Sequence, residues 1–598
     1  MPVIVTAGHI DHGKSALVRA LTGREPDRWA QERERGMSIG LGFVWTRLPS
    51  GTEVSFVDVP GHRRLVATML AGAAPAPAVL FVVAADEGWS AQSAEHLAAL
   101  DALGTGRGVL AVTKSDRADP RPAAAEARRE LGGTSLSGLP VFAVSAVTGA
   151  GLPELRAGLD AVVAGQDDAA DDNADVRLWV DRSFTVTGAG SVVTATLAEG
   201  TLRLGDRLRC ARTGQLLRVR GLQVCERPVA VARPVRRVAV NLTGGRVEVR
   251  RGDALLAPAD AWRAVDEFDV LWCGGPPRAK ALVLHVGTAA VSVRVRALGP
   301  GAARLRTACE VPVRPCDRLL LRDPGGAGPP VGAVVVDVWP EELARRGAGA
   351  RRGAELVGLA GLAGGRGTAE SHPDGAQVGP GLAADLLRRR RFLSDGDFRA
   401  AGLPVTGRPV AGGYADPAAW ESLVGRVGDE VAAWCAERPL ARGMPLPVLA
   451  DRLSVPSAEV TRELVRAAGL NSEDGVVVGR AALPVSVEKG LAVIGELLRQ
   501  NPFRAPEARD LARAGLGPAE LAGAVRAGRL LLLAPGVVLL PGADRLAAEV
   551  VRGVGRTFTV SQARQAWRTT RRTAVPLLEL LDRAGVTRRL PDGSRELS

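Results

Sequence analysis

The chain has 598 residues, which is too long for one hydrophobic core and predicts several domains. Apolar residues make up 46% and charged residues 24%, as in a soluble globular protein, and no apolar run is long enough to cross a bilayer. The net charge of +12 favours a polyanionic partner. Because arginine replaces lysine almost throughout, the places where arginines cluster are better evidence for binding of a polyanion than the number of arginines is.

The chain starts directly with an apolar run, residues 1–5, which predicts a core strand and leaves no room for a signal peptide. We therefore expect a cytoplasmic protein without a membrane partner. The six cysteines show no paired C-x-x-C spacing. They predict buried thiols in a reducing compartment.

Residues 8–15 read GHIDHGKS and fit G-x-x-x-x-G-K-[ST] between that strand and a helix starting near Ala16. This pattern predicts a loop whose backbone N–H groups surround phosphate oxygens, with Lys14 reaching the outer phosphates and the Ser15 hydroxyl ligating Mg²⁺. A chance glycine-rich turn is the alternative for this motif alone. The predicted nucleotide contacts in the loop are Gly8, His9, Asp11, His12, Gly13, Lys14 and Ser15.

A second motif follows a predicted buried strand at residues 54–57. Asp58-Val59-Pro60-Gly61 places the Asp58 carboxylate on the Mg²⁺ side and the Gly61 N–H beside the γ-phosphate.

Two further strands, at residues 109–112 and 141–144, end in residues suited to a purine base. In Thr113-Lys114-Ser115-Asp116, Asp116 can accept both N–H groups on the edge of guanine while the Lys114 stem packs on the ring. Adenine offers no such pair of donors. The backbone of Ser145 and Ala146 could meet the guanine O6. Four motifs in this order predict a GTP-binding domain.

The motifs at residues 8–14 and 58–62 resemble those of the translational GTPases of the elongation factor Tu group. The resemblance implies that His62 orients the attacking water; a histidine that only packs under its loop is the alternative. It also implies that residues 32–39 form the switch I segment, in which Ser38 stands in place of a threonine that binds Mg²⁺. Gly40 departs from the pattern, because an aspartate is expected there.

Residues 176–338 contain short β-branched runs with Gly and Pro turns and almost no helical periodicity, which predicts β-barrel structure. An acidic stretch at residues 166–175 reads as a linker, and a break near residues 258–266 predicts two barrels. A GTPase domain with two barrels is the plan of elongation factor Tu, in which a cleft holds the aminoacyl end of a tRNA.

Residues 181–190 and 236–242 resemble stretches of the selenocysteine-specific elongation factors. A selenol has a much lower pKa than a hydroxyl, so selenocysteine arrives as an anion. The resemblance implies that Arg182 and Arg237, oriented by Asp181, accept this anion and reject seryl-tRNA. From the residues alone, a surface ion pair between Asp181 and Arg182 is the alternative, with Arg237 an ordinary strand arginine.

Helical patterns return after residue 341. Residues 347–381 are rich in Gly and Ala and predict one helix, at residues 354–363, and a loop. Beyond them a unit of helix, turn, helix and hairpin recurs, which is typical of winged-helix domains.

The last of these units carries arginines at the entry of its second helix and on its wing, the side that would meet a phosphate backbone. Residues 571–575 and 581–589 also resemble the terminal module of the selenocysteine-specific factors, which implies binding of a messenger RNA hairpin. We expect this module to have its own core and to fold alone. The predicted RNA contacts are Arg564, Arg568, Arg571, Arg572, Arg588, Arg589 and Arg595.

The sequence thus predicts a multidomain chain: an α/β P-loop GTPase domain (1–170), two β-barrel domains (176–262 and 263–342) and four tandem winged helices (346–415, 416–485, 486–543 and 544–598). The expected ligands are GTP or GDP and Mg²⁺. The expected partners are selenocysteinyl-tRNA, a messenger RNA hairpin (SECIS) and the ribosome, with delivery at recoded UGA codons. We expect a monomer that needs no exchange factor. The alternatives are an elongation factor Tu-like GTPase that carries a different tRNA and a GTP-switched nucleic-acid-binding regulator.

Overall fold

The computed structural model of the protein describes residues 2–26, 41–60, 69, 78–164, 171–188, 190–244, 248–258, 260–325, 328–363, 375–438, 441, 443–477 and 483–597. The chain divides into two compact units, Met1–Gly407 and Arg408–Ser598. Within the described ranges, no helix combines the length and apolar character that a membrane crossing requires.

The first unit begins with an α/β domain. Its strands are β1 (Val3–Ala7), β2 (Gly42–Arg47), β3 (Glu53–Asp58), β4 (Ala78–Ala84), β5 (Gly108–Thr113) and β6 (Val141–Ala143), and its described helices are α1 (Lys14–Thr22), α2 (Ala91–Ala102), α3 (Pro120–Leu131) and α4 (Leu152–Val163). The sheet order is β2-β3-β1-β4-β5-β6, parallel except for the antiparallel pair of β2 and β3.

Both faces of this sheet are covered. Val5 and Phe81 face one core, shared with α2 and α3, whereas Ile4 and Leu80 face the other, shared with α1 and α4. Successive strand side chains alternate between faces, so a strand buried on both sides reads as a continuous apolar run. The predicted α/β domain is confirmed.

Two β-barrels follow. The strands of the first are β7 (Val176–Val186), β8 (Gly190–Leu197), β9 (Leu202–Arg203), β10 (Arg207–Cys210), β11 (Leu216–Val224), β12 (Arg227–Val229), β13 (Val231–Ala232), β14 (Arg236–Thr243) and β15 (Ala254–Ala257). Their main sheet has the order β10-β15-β7-β8-β14-β11-β12 and is closed by pairing of β10 with β11. The strands of the second are β16 (Val265–Cys273), β17 (Ala281–Val286), β18 (Ala289–Ala297), β19 (Ala302–Val311), β20 (Arg318–Arg322) and β21 (Val331–Asp337), closed in the order β16-β19-β18-β17-β20-β21. Both barrels were predicted.

The predicted acidic linker lies only partly within the described residues. Its last residue, Asp175, is not a solvated linker residue, because its side chain is 10% exposed and contacts Arg314 at 2.8 Å and Arg399 at 2.8 Å. The end of the linker is therefore fixed to the second barrel. The prediction of buried thiols is right for Cys210 and Cys435 and wrong for Cys309, which is exposed.

The first unit continues with α5 (Ala348–Ala363), α6 (Gly375–Arg390), β22 (Phe392–Leu393) and α7 (Asp395–Ala401). Helix α5 begins six residues before the predicted helix at residue 354. A buried ion network joins α5 and α6 to β21, in which Arg352 and Arg389 each contact both Asp337 and Asp385, at 2.9–3.2 Å. Each carboxylate is thus shared by two guanidinium groups, as buried charges require.

The second unit consists of short hairpins and helices. They are β23 (Arg408–Val410), β24 (Gly413–Ala415), α8 (Pro417–Glu437), β25 (Met444–Pro445), α9 (Leu446–Leu453), α10 (Ala458–Ala467), β26 (Ser472–Glu473), β27 (Val476–Val477), α11 (Val485–Gln500), α12 (Ala508–Arg513), α13 (Pro518–Arg526), β28 (Leu531–Ala534), β29 (Val537–Leu539), α14 (Ala543–Arg552), β30 (Thr557–Phe558), α15 (Val560–Ala566), α16 (Arg571–Arg583), β31 (Thr587–Arg589) and β32 (Arg595–Leu597). This is the predicted winged-helix order of helix, helix and hairpin. The boundary between the compact units, after Gly407, falls inside the predicted first winged helix (346–415).

The last two modules share one hydrophobic core, which runs from Val487 to Leu581. The rings of Phe503 and Trp567, one from each module, lie 5.9 Å apart. The Thr569 hydroxyl also donates to the Phe503 carbonyl. The prediction that the last module has a core of its own is therefore wrong, because its apolar face is completed by the module before it.

Candidate nucleotide site and adjoining arginine pocket

The predicted phosphate loop lies between β1 and α1. Gly8 has φ +126°, and a Cβ there would lie 2.1 Å from the Val82 carbonyl oxygen, so the position requires glycine. The Lys14 side chain is buried and its Nζ donates to the carbonyls of Gly8 (3.0 Å) and His9 (2.8 Å). The loop thus curls around its lysine at the start of α1, which is the arrangement that binds anions. Of the other predicted loop residues, Asp11 is exposed and Gly13, at φ +78°, precedes α1.

Ser15 and Asp58 lie side by side, as predicted for a metal site. The Ser15 hydroxyl donates to Asp58 Oδ2 at 2.6 Å, and the Thr6 hydroxyl donates to Asp58 Oδ1 at 2.8 Å. Asp58 is completely buried, and this burial raises the pKa of its carboxyl group. A hydroxyl and a carboxylate are oxygen donors of the kind that Mg²⁺ takes, so these residues fit that ion beside nucleotide phosphates.

His12 connects the phosphate loop with the predicted base-binding motif, residues 113–116, which we call the base motif. Its carbonyl accepts a hydrogen bond from the Thr113 hydroxyl at 2.7 Å. Its ring is fully buried, with Nδ1 3.3 Å from the Val82 carbonyl oxygen, and burial lowers the pKa of the imidazole to about 4. His12 is therefore a neutral, structural member of the loop at physiological pH.

The base motif is held by acidic residues that the sequence did not single out. Lys114 Nζ lies 2.6 Å from Glu87 and 3.0 Å from Asp86, the two residues that follow β4 after Ala85. Because both carboxylates grip the ammonium group, the lysine stem is fixed in place. The available signal in the sequence was two acidic residues just beyond the continuous apolar run of residues 78–84.

The two segments predicted to recognise guanine contact each other. Asp116 is exposed, and a hydrogen bond from the buried Ser145 hydroxyl lowers the pKa of its carboxyl group. Ala146, the other predicted contact in this segment, is half-buried. The carboxylate is thus ionised and accessible, as an acceptor for the two guanine N–H groups must be.

One residue of α2 also reaches the loop, although no sequence pattern indicated it. The Gly8 N–H donates to Nδ1 of His96 at 3.0 Å. Three further predicted residues, Gly61, His62 and Ser38, lie outside the described residues, as does Gly40, so their roles stay predictions.

The three residues predicted for a selenocysteine pocket come together beside β2. Asp181 is 5% exposed and forms a two-pronged ion pair with Arg237, in which one N–O distance is 2.6 Å. The Thr194 hydroxyl donates to Asp181 at 2.7 Å. Arg182 instead donates to the Leu41 carbonyl. The alternative of a surface pair between Asp181 and Arg182 is therefore wrong, because the partner of Asp181 is Arg237 and the pair is not at the surface.

Both arginines stack on the ring of Phe43, a residue of β2 in the nucleotide domain. The guanidinium carbon of Arg237 lies 3.7 Å and that of Arg182 4.7 Å from the ring centroid. The three side chains line a cavity of about 560 Å³ between the nucleotide domain and the first barrel. The sequence did not indicate Phe43, because its partners follow it by more than a hundred residues.

The predicted RNA contacts in the last module differ in exposure. Arg568, Arg571, Arg572, Arg588 and Arg589 are exposed, and Arg564 is half-buried. Arg572 donates to the Gly536 carbonyl at 2.7 Å and so also braces the preceding module. The prediction that Arg595 contacts RNA is wrong: Arg595 is 4% exposed and pairs with Asp582 at 3.2 Å, so it cannot present its charge to a phosphate.

Comparison with known proteins shows the family of the chain and its fold. The elongation factor Tu GTP-binding domain family matches residues 1–165, and the family described as elongation factor SelB, winged helix, matches residues 551–595. A crystal structure of a bacterial selenocysteine-specific elongation factor aligns over the full length of both chains with a TM-score of 0.72 and 23% identity, which shows a common fold.

Several curated relatives carry the name selenocysteine-specific elongation factor, among them proteins from Desulfomicrobium baculatum and Escherichia coli. The Desulfomicrobium baculatum protein is 46% identical over 264 residues, which is 43% of this chain but only 41% of that protein. The Escherichia coli protein is 34% identical over 430 residues, 68% of each chain. These matches confirm the family predicted from the motifs. The chain belongs to the selenocysteine-specific elongation factors, a family of translational GTPases.

Proposed function

We propose that this chain binds and hydrolyses GTP while delivering selenocysteinyl-tRNA to the ribosome at recoded UGA codons. The observation that carries the proposal is the cavity that Arg182 and Arg237 line next to the nucleotide domain. Selenocysteine is an anion near neutral pH, whereas the serine hydroxyl is neutral. A charge-assisted contact to a guanidinium group therefore favours the selenolate.

The arrangement of Asp181 supports this specificity. Because it grips Arg237 with both carboxylate oxygens, the guanidinium group is oriented before the substrate arrives. The acidic residues of the cavity lining engage other arginines, since Glu25 contacts Arg19 at 3.1 Å and Glu226 contacts Arg24 at 3.8 Å. A cation that is already oriented binds an anion without the free-energy cost of its own rearrangement.

For the GTPase reaction, the chain supplies a phosphate loop, metal ligands and a water-orienting residue. Lys14 binds the outer phosphates, and Ser15 and Ser38 are the proposed ligands of Mg²⁺, with Asp58 behind Ser15. Bound Mg²⁺ would neutralise charge on the phosphates. His62 orients the attacking water, and its imidazole acts only once the ribosome is engaged.

The exposed arginines of the last module, Arg568, Arg571, Arg588 and Arg589, are proposed to bind the backbone of a messenger RNA hairpin (SECIS). In keeping with the family, we place the protein in the cytoplasm as a monomer that exchanges nucleotide without a separate factor.

Protection of the aminoacyl ester tests the cargo. The parent chain with GTP should slow hydrolysis of selenocysteinyl-tRNA more than that of seryl-tRNA, and Arg237→Ala should reduce this preference roughly 10- to 100-fold, as for a lost charge-assisted hydrogen bond. Arg220→Ala is the matched control, because Arg220 is an exposed arginine of the same barrel that does not line the cavity. Equal protection of both esters by the parent chain would instead favour a factor that carries another tRNA.

Single-turnover hydrolysis tests His62. His62→Ala should keep GTP binding and lose about 10²–10⁴-fold of the ribosome-stimulated rate, because the side chain acts on water and not on the nucleotide. A full stimulated rate in the variant would remove His62 from the mechanism.

A further inference from the structure

Helix α2 is held firmly at one side of the nucleotide site. Its N-cap Ser90 accepts the Ser93 N–H, its Ala99 and Leu100 are fully buried in the sheet core, and Glu95 contacts Arg322 of β20 at 3.3 Å. A side chain carried by this helix therefore has a fixed position relative to the strands.

His96 points from this rigid helix at the first residue of the phosphate loop. Its side chain is buried, at 2% exposure, and its Nδ1 lies 3.0 Å from the Gly8 nitrogen. Since the backbone N–H is the donor, Nδ1 must carry a lone pair and no proton. Burial lowers the pKa of this imidazole to about 3, so the acceptor persists throughout the physiological pH range.

Gly8 is consequently gripped on both sides. His96 holds its N–H, and Lys14 donates to its carbonyl at 3.0 Å. Glycine at φ +126° has no side chain that could fix it, so these two hydrogen bonds determine how its peptide groups are turned. The same carbonyl positions the lysine that meets the phosphates.

We propose that His96 is a positioning residue for nucleotide binding, which acts through Gly8 to hold the phosphate loop and Lys14 in the phosphate-accepting arrangement. Without the acceptor, the buried Gly8 N–H is left unsatisfied and the loop must reorient to find another partner. The inference concerns the nucleotide alone, so neither tRNA nor ribosome enters its test.

Three variants of the full chain separate positioning from stability. His96→Leu removes the acceptor and keeps an apolar side chain of similar bulk. His96→Asn keeps an acceptor, because the amide oxygen of asparagine occupies nearly the position of Nδ1. Leu100→Ala is the control: Leu100 is fully buried one turn after His96 in the same helix, so its truncation weakens that helix by opening the core and leaves the hydrogen bond to Gly8 in place.

The measurements are the Kd for fluorescent GDP, the thermal midpoint, and hydrogen exchange of the peptide containing Gly8. We expect His96→Leu to bind GDP about tenfold more weakly and to exchange faster at the loop. We expect His96→Asn to recover most of the affinity, and Leu100→Ala to melt earlier with an unchanged Kd. Unchanged GDP binding in folded His96→Leu overturns the proposal. So does an equal loss in Leu100→Ala, or a failure of folded His96→Asn to recover affinity.

Discussion

At the scale of single residues, the base contact shows how an exposed carboxylate can be selective. Asp116 is accessible from solvent, and a hydrogen bond from the Ser145 hydroxyl lowers the pKa of its carboxyl group. An ionised carboxylate offers only acceptors and therefore requires a base edge with two donors, which guanine has and xanthine lacks.

This predicts that Asp116→Asn exchanges the preferred base. The new amide can donate to the 2-oxo group of xanthine, so the ratio of xanthosine to guanosine triphosphate affinity should rise by at least about tenfold. Competition titrations with the two nucleotides measure the ratio. Asp119→Asn is a suitable control, since Asp119 is an exposed aspartate nearby that caps α3. If the two variants give the same ratio, Asp116 does not contact the base.

At the scale of elements, the shared core of the last two modules determines which fragment can fold. Phe503 and Trp567 are buried, and each ring packs against the other module. The Ala505 N–H also donates to the Thr573 hydroxyl at 3.4 Å. A fragment of residues 544–597 exposes this face to water, whereas residues 483–597 keep it covered.

We therefore predict that residues 483–597 fold cooperatively and that residues 544–597 do not. Circular dichroism melts of the two fragments decide the matter. A cooperative melt of the shorter fragment, at a midpoint equal to that of the longer one, would show that the contacts between the modules contribute nothing to folding.

The same longer fragment tests the RNA-binding surface. Arg571→Ala and Arg589→Ala should weaken binding of the cognate hairpin, and each lost phosphate contact should lower the log–log salt slope by roughly 0.7–0.9. Arg595→Gln should instead lower the melting temperature, because it breaks the buried pair with Asp582. Titrations at two salt concentrations, with melts of each variant, separate the effects. Salt slopes unchanged from the parent in Arg571→Ala and Arg589→Ala would exclude these residues from the interface.

These cases also show where reasoning from sequence ends. The nucleotide motifs were predictable because each lies within a few residues of a strand whose continuous apolar run marks it as buried. His96, Phe43 and the shared core were not, since their contacts join residues far apart in the chain. The burial of Arg595 was missed because it depends on the pairing of β32 with β30 and β31, which brings Arg595 to Asp582. The clustering of arginines in the sequence does not reveal this pairing.

At the scale of the whole molecule, buried neutral histidines make stability depend on pH. Burial lowers the pKa of His285, in β17, to about 4, and Arg322 acts in the same direction. Between about pH 4 and the ordinary value of 6.5, the unfolded chain therefore binds more protons at this residue than the folded chain does. The free energy of unfolding consequently falls as the pH is lowered through this window.

We predict that the melting temperature falls between pH 7 and pH 5, and that His285→Leu makes this fall smaller. Calorimetry of parent and variant at both pH values measures the difference, in which contributions from His12, His96 and Asp58 cancel. An equal fall in both chains would show that folding does not change the protonation of His285.

The core shared by the last two modules limits how this C-terminal tail, residues 483–597, can change during evolution. A recombination that replaced only residues 544–598 would separate Trp567 from Phe503 and leave mismatched apolar surfaces on both sides of the join. The tail can accept a new RNA ligand through substitutions among its exposed arginines, or through exchange of both modules together. The two modules together, and not the single winged helix, are therefore inherited as the unit that carries this arginine surface.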